Sequence, residues 1–507
     1  MNATLVLIAV ATVCAGSSFS FLRWIRVAQR EHYLPGSTSR FATRWWLARP
    51  LNVLMVVIAI LGVVLSIWFP LGACITGLAL VFGPLGLTVR GRSAPLVWTR
   101  RLKTVAAVAG ALIVTIAALT STITGSVAPL ALAALTIPAS VDLSLLILRP
   151  IEKRIARRYV NQARKRLHAV RPVVVAITGS YGKTTTKEYV RHLASGARTV
   201  VASPASYNNT AGLCRTVNEH LTTGTEVLVA EIGTYGKGEI QEICRWLKPT
   251  IGAITAVGPV HLERMGSLEG IAEAKAEILE TVDLAILNTD FPHLRQIADK
   301  ISAPKSVIRC GSKEGAYVAA IPSEQSIELY ISGEHVTTIR TPGVFPGNLA
   351  SAVAIALALD IPVEHIVRQV TSLPCPAHRQ QLVTTSAGIK VIDDTFSSNP
   401  DGAANALKLL SEAADHGRRV VVSPGMIELG DRQDYENEQF ARKAAINATD
   451  ILIVGRTNLC SLMRGAQHGK ARVRTVRRRD DAVRWVRENL TEGDVVLYEN
   501  DLPDHFP

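Results

Sequence analysis

Three long apolar runs open the chain, and short β-branched runs spaced by polar stretches fill the rest. Residues 1–22 are almost wholly apolar. Residues 51–89 form a second run, broken at Phe69-Pro70, and residues 104–148 a third, broken near Thr120–Ser126. A membrane-spanning helix needs about 20 apolar residues, so these runs predict five helices: one, then two, then two. The first lacks the basic start and small-residue cleavage site of a signal peptide.

From Val173 onward the pattern changes. Val173–Thr178, Thr199–Ala202, Val227–Ile232, Ile251–Val257 and Leu284–Leu287 read as strands, each followed by a polar or helical stretch. A second series follows at Lys390–Ile392, Arg419–Val422, Ile451–Val454 and Val495–Tyr498. Strands alternating with helices predict parallel sheets covered on both faces. Pro374-Cys375-Pro376 separates the two series and places a border near residue 373. The chain thus divides into a multi-pass α-helical membrane region (1–150), a linker helix (151–171) and two α/β domains (172–373 and 374–507).

Charge sharpens this division. Residues 1–150 carry 12 Lys and Arg against Glu31 and Asp142, whereas the remainder carries 43 against 40 acids. The net charge of +13 across 507 residues therefore comes mainly from the apolar third. Because these charges flank apolar runs, they argue for a membrane lipid partner and against nucleic acid. Arg23, Arg26, Arg30, Arg40, Arg44 and Arg49 follow the first run; Arg90, Arg92, Arg100, Arg101 and Lys103 lie between the second and third; Arg149, Lys153, Arg154, Arg157 and Arg158 follow the third. Basic loops stay on the cytoplasmic side, so five crossings put the N-terminus outside and the C-terminal part in the cytoplasm, at the plasma membrane. Residues 149–171 hold nine Lys and Arg and one acid, with Ile151, Ile155, Val160 and Ala163 at helical spacing. This reads as a helix on the anionic leaflet or as a solvated linker helix. Asp142 lies inside the fifth predicted span, where a carboxylate needs a polar partner: a substrate head group or, more simply, another helix. The seven cysteines are scattered without a Cys-x-x-Cys pair, which fits reduced thiols and no zinc site.

The chemistry starts at Gly179-Ser180-Tyr181-Gly182-Lys183-Thr184-Thr185, a glycine loop between an apolar strand and a helix start. Glycines let the backbone wrap phosphates, consecutive N–H groups point at them, Lys183 adds positive charge, and the Thr184 hydroxyl suits Mg²⁺. The loop is shorter than the usual G-x-x-x-x-G-K pattern, with Ile177 where that pattern has glycine. Glu231 ends an apolar strand, on the ligand side of such a sheet, as a hard oxygen donor for Mg²⁺ or as a plain cap. His261 and Lys275 are ordinary singly: a structural histidine and a solvated lysine.

Taken in order, Gly179–Thr185, Ser206-Tyr-Asn-Asn209, Glu231-Ile-Gly, His261-Leu-Glu, Lys275-Ala-Glu-Ile, Leu287-Asn-Thr-Asp290, Asn348, Arg379, Asp393–Pro400 and Met426-Ile-Glu-Leu-Gly430 resemble the Mur ligases, most closely the branch that adds D-alanyl-D-alanine in peptidoglycan synthesis. The resemblance covers roughly residues 170–507. It implies a P-loop central ATPase domain and a Rossmann-like C-terminal domain, with ATP and two Mg²⁺ ions. It implies that Lys183 and Thr184 hold phosphates and the first Mg²⁺ with Glu231, and that His261 binds the second Mg²⁺. Lys275 would be carbamylated near that metal. Asn288 and Asn348 would approach the adenine, and Arg379 and Asp394 would reach ATP from the C-terminal domain. Asn208 and Asn209 would face the acyl substrate, and Asn399 the amine. Two departures stand out: Gly347 replaces a histidine common in the family, and apolar helices stand where the family carries a domain that grips a UDP-sugar.

The implied reaction activates a carboxylate as an acyl phosphate, which an amine then attacks. The carboxylate and amine would be small molecules or lipid-linked. The favoured reading is a membrane-anchored ligase of peptidoglycan precursors. An amide ligase of another pathway, such as poly-amino-acid or specialised peptide synthesis, is the second. A membrane transport or regulatory ATPase is the third, and it gives His261 and Lys275 no role.

Overall fold

A computed structural model describes every residue except 1–2, 48, 90–95, 205–206, 261, 324–325, 341–342, 375–378, 397, 415–416 and 503–507, and the side chains of 263 and 264. Met1–Ile155 forms one compact unit and Ala156–Asp501 another.

The first unit is helical: α1 (Ala3–Arg30), α2 (Ser37–Leu47), α3 (Pro50–Leu65), α4 (Leu71–Phe82), α5 (Arg100–Thr124), α6 (Ala128–Leu135) and the first part of α7 (Ile137–Val170). Among the described residues, α1 and α5 are long and apolar enough to cross a membrane, and counting the bent pairs α2–α3 and α6–α7 as spans gives at most four. Five separate long helices are therefore not built. The run 51–89 forms helices of 16 and 12 residues instead. At 1.5 Å per residue these reach about 24 and 18 Å, short of about 30 Å of hydrocarbon.

Small residues bring these helices together. A Cβ on Gly16 of α1 would lie 2.3 Å from the Gly77 carbonyl oxygen of α4, and one on Gly62 of α3 would lie 2.5 Å from Thr76 Oγ1. Such close backbone approach is how apolar helices associate without a hydrophobic driving force. The Arg23 guanidinium donates to the carbonyls of Leu80 (3.0 Å), Val81 (2.7 Å) and Gly83 (2.5 Å), which satisfies the carboxyl end of α4. Asp142 takes the helix-partner role: it accepts from Thr38 N–H (3.2 Å), Ser39 N–H (2.8 Å) and Ser39 Oγ (2.5 Å) at the start of α2.

The second unit holds two sheets. The first series runs β1 (Val173–Thr178), α8 (Lys183–Ala194), β2 (Val200–Ala202), α9 (Thr210–His220), β3 (Val227–Glu231), α10 (Glu239–Leu247), β4 (Ile251–Ile254), α11 (Leu262–Met265), α12 (Leu268–Ala276), β5 (Leu284–Asn288), α13 (Pro292–Lys300) and β6 (Ser306–Gly311). It continues through β7 (Val318–Pro322), β8 (Ile327–Ile331), β9 (Glu334–Ile339), α14 (Pro346–Ala358) and α15 (Val363–Val370). Its nine strands lie in the order β2-β3-β1-β4-β5-β6-β7-β8-β9, parallel up to β7 and antiparallel beyond. Core residues of α8, α14 and α15 pack one face. Those of α9, α10 and α12 pack the other, together with Ala163 and Val160 from the end of α7. The basic stretch 149–171 is indeed helical, but Ile151 and Ile155 are exposed, unlike Ala163.

The second series is β10 (Gln381–Thr384), β11 (Lys390–Asp394), α16 (Pro400–Ala413), β12 (Arg419–Ser423), α17 (Gln433–Asn447), β13 (Asp450–Val454), α18 (Leu459–Ala466), β14 (Arg472–Val476), α19 (Arg479–Asn489) and β15 (Val495–Glu499). The order is β10-β11-β15-β12-β13-β14, with only β10 antiparallel. Helices α16 and α17 cover one face and α19 the other. The sheet is thus doubly covered. Its parallel strands nevertheless run first, fifth, second, third, fourth, unlike the usual dinucleotide-binding order.

Candidate active site

The glycine loop lies where β1 passes into α8. β1 is central, paired with β3 on one side and β4 on the other, and both β3 and β4 end beside it on the ligand side. Gly182 adopts φ 83°, and a Cβ there would lie 2.2 Å from Asn348 Oδ1. Asn348 therefore rests against the loop itself. Ser180 ties the loop to the segment after β4, donating to the Gly258 carbonyl (3.1 Å) and accepting from Gly258 N–H (2.9 Å). Tyr181 reaches the C-terminal series, donating 3.0 Å to Asp401 Oδ2 at the start of α16. Thr185 is buried and lines the same cavity.

Glu231 is the centre of the arrangement. Thr184 Oγ1 donates to its Oε2 (2.8 Å), and Asn208 Nδ2 reaches its Oε1 (3.3 Å). Behind it lies Lys187, which the sequence reading passed over. Its fully buried ammonium is 3.7 Å from Glu231 Oε2 and donates to the Ser203 carbonyl at 2.7 Å. Lys183 Nζ bonds the Gly179 carbonyl (2.8 Å), folded back on its own loop. Burial lowers the Lys183 ammonium, Glu231 opposes that, and Arg379 adds to it. Burial likewise lowers Lys275 well below the ordinary lysine value, with Lys183 as the second cause. Arg379 is lowered by burial and held charged by Glu231 and Asp394. Lys183 and Arg379 thus both act on the one carboxylate of Glu231, and Lys275 lies close enough to Lys183 to feel its charge. An excess of cations in a buried cleft awaits a polyanion, and a phosphate chain is that chemistry.

A cavity of ≈ 1210 Å³ opens from this point, lined by Tyr181, Asn288, Asn348, Arg379, Asp394 and Asn399 among others. Asn288 is held internally: its Nδ2 donates to the Thr255 carbonyl (3.0 Å) and its Oδ1 accepts from Asp290 N–H (3.1 Å). A Cβ at Gly347 would lie 2.7 Å from Asn288 Nδ2, so this wall admits little side chain. Asn209 and Asn399 use their side chains as helix caps, on Gly212 N–H and Gly402 N–H, both at 2.9 Å. His261 lies outside the described residues. Among the described residues no cluster of three His, Cys, Asp or Glu could hold a metal. Thr184 and Glu231 still offer a hydroxyl and a carboxylate in contact beside the phosphate loop. That sparse oxygen set suits Mg²⁺, which keeps waters and takes its remaining ligands from phosphates.

Residues 177–357 match the Mur ligase middle domain, and residues 378–498 match the Mur ligase, glutamate ligase domain. The UDP-N-acetylmuramoyl-tripeptide–D-alanyl-D-alanine ligase of Mycobacterium tuberculosis is 30% identical over 365 residues, spanning 64% of this chain and 69% of that protein. The Bacillus subtilis ligase of the same description is 26% identical over 343 residues, spanning 64% and 72%. Among solved structures, MurF from Acinetobacter baumannii superposes with a TM-score of 0.58 at 24% identity, over 68% of this chain and 77% of that one. MurF ligase from Thermotoga maritima in complex with ADP gives 0.58 at 24% identity, over 68% and 80%.

Proposed function

This chain belongs to the Mur ligase family of ATP-dependent amide ligases, and we propose that it is a membrane-anchored member that adds D-alanyl-D-alanine to a peptidoglycan precursor. The observation that carries this reading is the convergence of Lys183 and Arg379 on Glu231, which also accepts from Thr184 beside the glycine loop. The reading also draws on the relatives, whose names specify a UDP-muramoyl tripeptide and D-alanyl-D-alanine.

In this reading the loop Gly179–Thr185 wraps the ATP phosphates, and Lys183 and Arg379 stabilise charge on the phosphoryl group as it moves to the substrate carboxylate. Thr184 and Glu231 hold Mg²⁺, which neutralises phosphate charge when bound; His261 would serve a second ion. The amine attacks the acyl carbon, the bond to phosphate breaks, and phosphate leaves with the electron pair. The Tyr181–Asp401 bond, from phosphate loop to C-terminal domain, supports closure over both substrates and exclusion of water. Lys275 has the environment a carbamylated lysine needs, since burial and Lys183 favour the neutral amine that reacts with CO₂. Asn208 lies beside Glu231, at the acyl end. Asn399 lines the cavity, where its carbonyl end is already a helix cap.

The membrane reading rests on α1 and α5, with α7 continuing from α6 as a third crossing. Basic segments stay on the cytoplasmic side, and Arg149, Lys153, Arg154, Arg157 and Arg158 lead into the catalytic part, so that part would face the cytoplasm. The exposed Ile151, Ile155 and Tyr159, set among arginines, suit a lipid surface.

The test is full-length protein with ATP, Mg²⁺, UDP-muramoyl tripeptide and D-alanyl-D-alanine, read as ADP release and amide product. K183A is expected to abolish ADP release, and full activity in that variant refutes the site. Residues 1–176 lie outside both matched regions, which favours a second reading: an amide ligase of another pathway, acting on a different or lipid-linked acyl substrate. It predicts ADP release with other carboxylates and none with the tripeptide.

A further inference from the structure

Glu499 ends β15 directly beside Asp394, which ends β11, because the two residues are Cα partners in the parallel ladder. Both side chains are buried, at 1% and 6% exposure. Ser398 Oγ donates to Glu499 Oε1 at 2.5 Å. The other oxygen, Oε2, is buried and has no donor among the described residues. The Asp394 carboxyl lies within hydrogen-bonding reach of the Glu499 carboxyl. Asp394 in turn accepts from Gln380 Nε2 (3.3 Å), is balanced by Arg379, and lines the cavity.

Two carboxylates cannot both stay ionised at this separation in a buried site. The charged groups acting on the pair come from few directions. Arg379, from the segment before β10, acts on Asp394, and the neutral donors are Gln380 and Ser398. Among the described residues no cation acts on Glu499 directly. Oε2 has no donor among the described residues while Asp394 has Gln380 and Arg379, so the pair's proton belongs on Glu499 and the charge on Asp394.

We propose that Glu499 is a positioning residue of the nucleotide site: as the neutral carboxylic acid it donates to the Asp394 carboxylate and fixes the oxygen that Asp394 presents to the cavity. The inference rests on the reading that Asp394 reaches ATP. The titration pattern agrees with it. Burial and then Asp394 push Glu499 well above the carboxylate range. Burial raises Asp394 only to about 6, with the Glu499 hydrogen bond among the contacts that hold it down. The strand-end rule that singled out Glu231 applies equally to Val495-Val-Leu-Tyr-Glu499.

The test is equilibrium binding of Mg²⁺–ADP to the full-length chain, which needs neither acyl substrate nor amine and so stands apart from the substrate reading. E499Q keeps a donor and is expected to bind within about twofold of the parent. E499A loses it and is expected to bind about tenfold more weakly, as for a lost hydrogen bond to a charged group. In the parent, affinity falls as pH drops through about 6, where Asp394 takes up its proton. That limb moves to higher pH in E499A, because the donor that stabilises the anion is gone, and stays in place in E499Q. Where amide synthesis is measured, E499A raises KM for ATP and leaves KM for the amine unchanged. Equal loss in E499Q and E499A, or a rise confined to the amine KM, overturns the proposal. Infrared difference spectra of parent minus E499Q at neutral pH give a readout that does not depend on E499A folding. A protonated carboxyl band supports the assignment, and its absence overturns it.

Discussion

Replacing Lys187 by methionine tests whether a buried ion pair holds Glu231 in place behind the phosphate loop. Methionine keeps most of the volume and removes the charge. Lys187 Nζ lies 3.7 Å from Glu231 Oε2 and 3.4 Å from Glu188 Oε1, and it is fully buried. At an effective dielectric of about 20, two unit charges 3.7 Å apart attract by about 4 kcal/mol. Removing one member of a buried pair leaves the other uncompensated, which costs about 3–5 kcal/mol. Without the ammonium, Glu231 also loses the neighbour that fixes its Oε2 for Mg²⁺. K187M should therefore lose stability by a few kcal/mol and lose Mg²⁺-dependent ADP binding at neutral pH. The assays are thermal unfolding and Mg²⁺–ADP titration of the full-length chain across pH. In the double variant K187M/E231Q the stability loss should be smaller than the sum of the single losses, since the two residues share one interaction. Strict additivity, or a K187M variant with parental stability and Mg²⁺ response, refutes the ion-pair account.

Other substitutions probe separate links. G182A puts a side chain where φ is 83° and where its Cβ would meet Asn348 Oδ1 at 2.2 Å; ADP affinity should fall about tenfold, given about 1–2 kcal/mol for the left-handed backbone alone. G110A is the control, since a Cβ there meets nothing within 4 Å and stability should hold or rise slightly. In CO₂-free buffer the folded lysine at 275 binds its proton less tightly than the unfolded one, so stability should rise with pH up to the ordinary lysine value and level off above it; K275M should flatten that slope in thermal melts. Bicarbonate should raise ligase activity in the parent and not in K275M. D142A removes the acceptor for Thr38 N–H and Ser39 N–H at the start of α2, so the melting temperature in detergent should drop by an amount matching about 1–2 kcal/mol, with D142N less affected.

The strands that could be read from the sequence are those buried on both faces. β1, β3, β4 and β12 are short, largely apolar runs with almost every residue inside, and such runs announce a parallel sheet. Strands β8, β9 and β14 escaped because one face meets solvent. Glu328 and Tyr330 alternate with the buried Ile327 and Leu329 of β8, only Ile339 of β9 is buried, and Arg472 and Arg474 alternate along β14. In the helical unit, apolar length misled. Hydropathy over 51–89 fits two spans, but Gly62, Gly72 and Pro70 let the chain fold into a short pair whose closeness depends on those small residues.

The site divides along a similar line. Gly179–Thr185 are contiguous, so their chemistry is visible in seven letters. Lys187 is one turn beyond Lys183 on the same helix face, a spacing that places it beside the loop, yet Thr-Lys-Glu read alone looks like a solvated surface. Asn209 and Asn399 show the converse. Asparagine followed three residues on by glycine, at a helix start, is first of all a capping residue, and both side chains are occupied in that way. Residue type in a motif marked the candidate site. What each side chain does there was fixed by burial and by the neighbour across the sheet: Lys187 behind Glu231, and Glu499 behind Asp394. Both supporting residues are buried behind a carboxylate of the site, where a charge is tolerated only if a partner or a proton accounts for it.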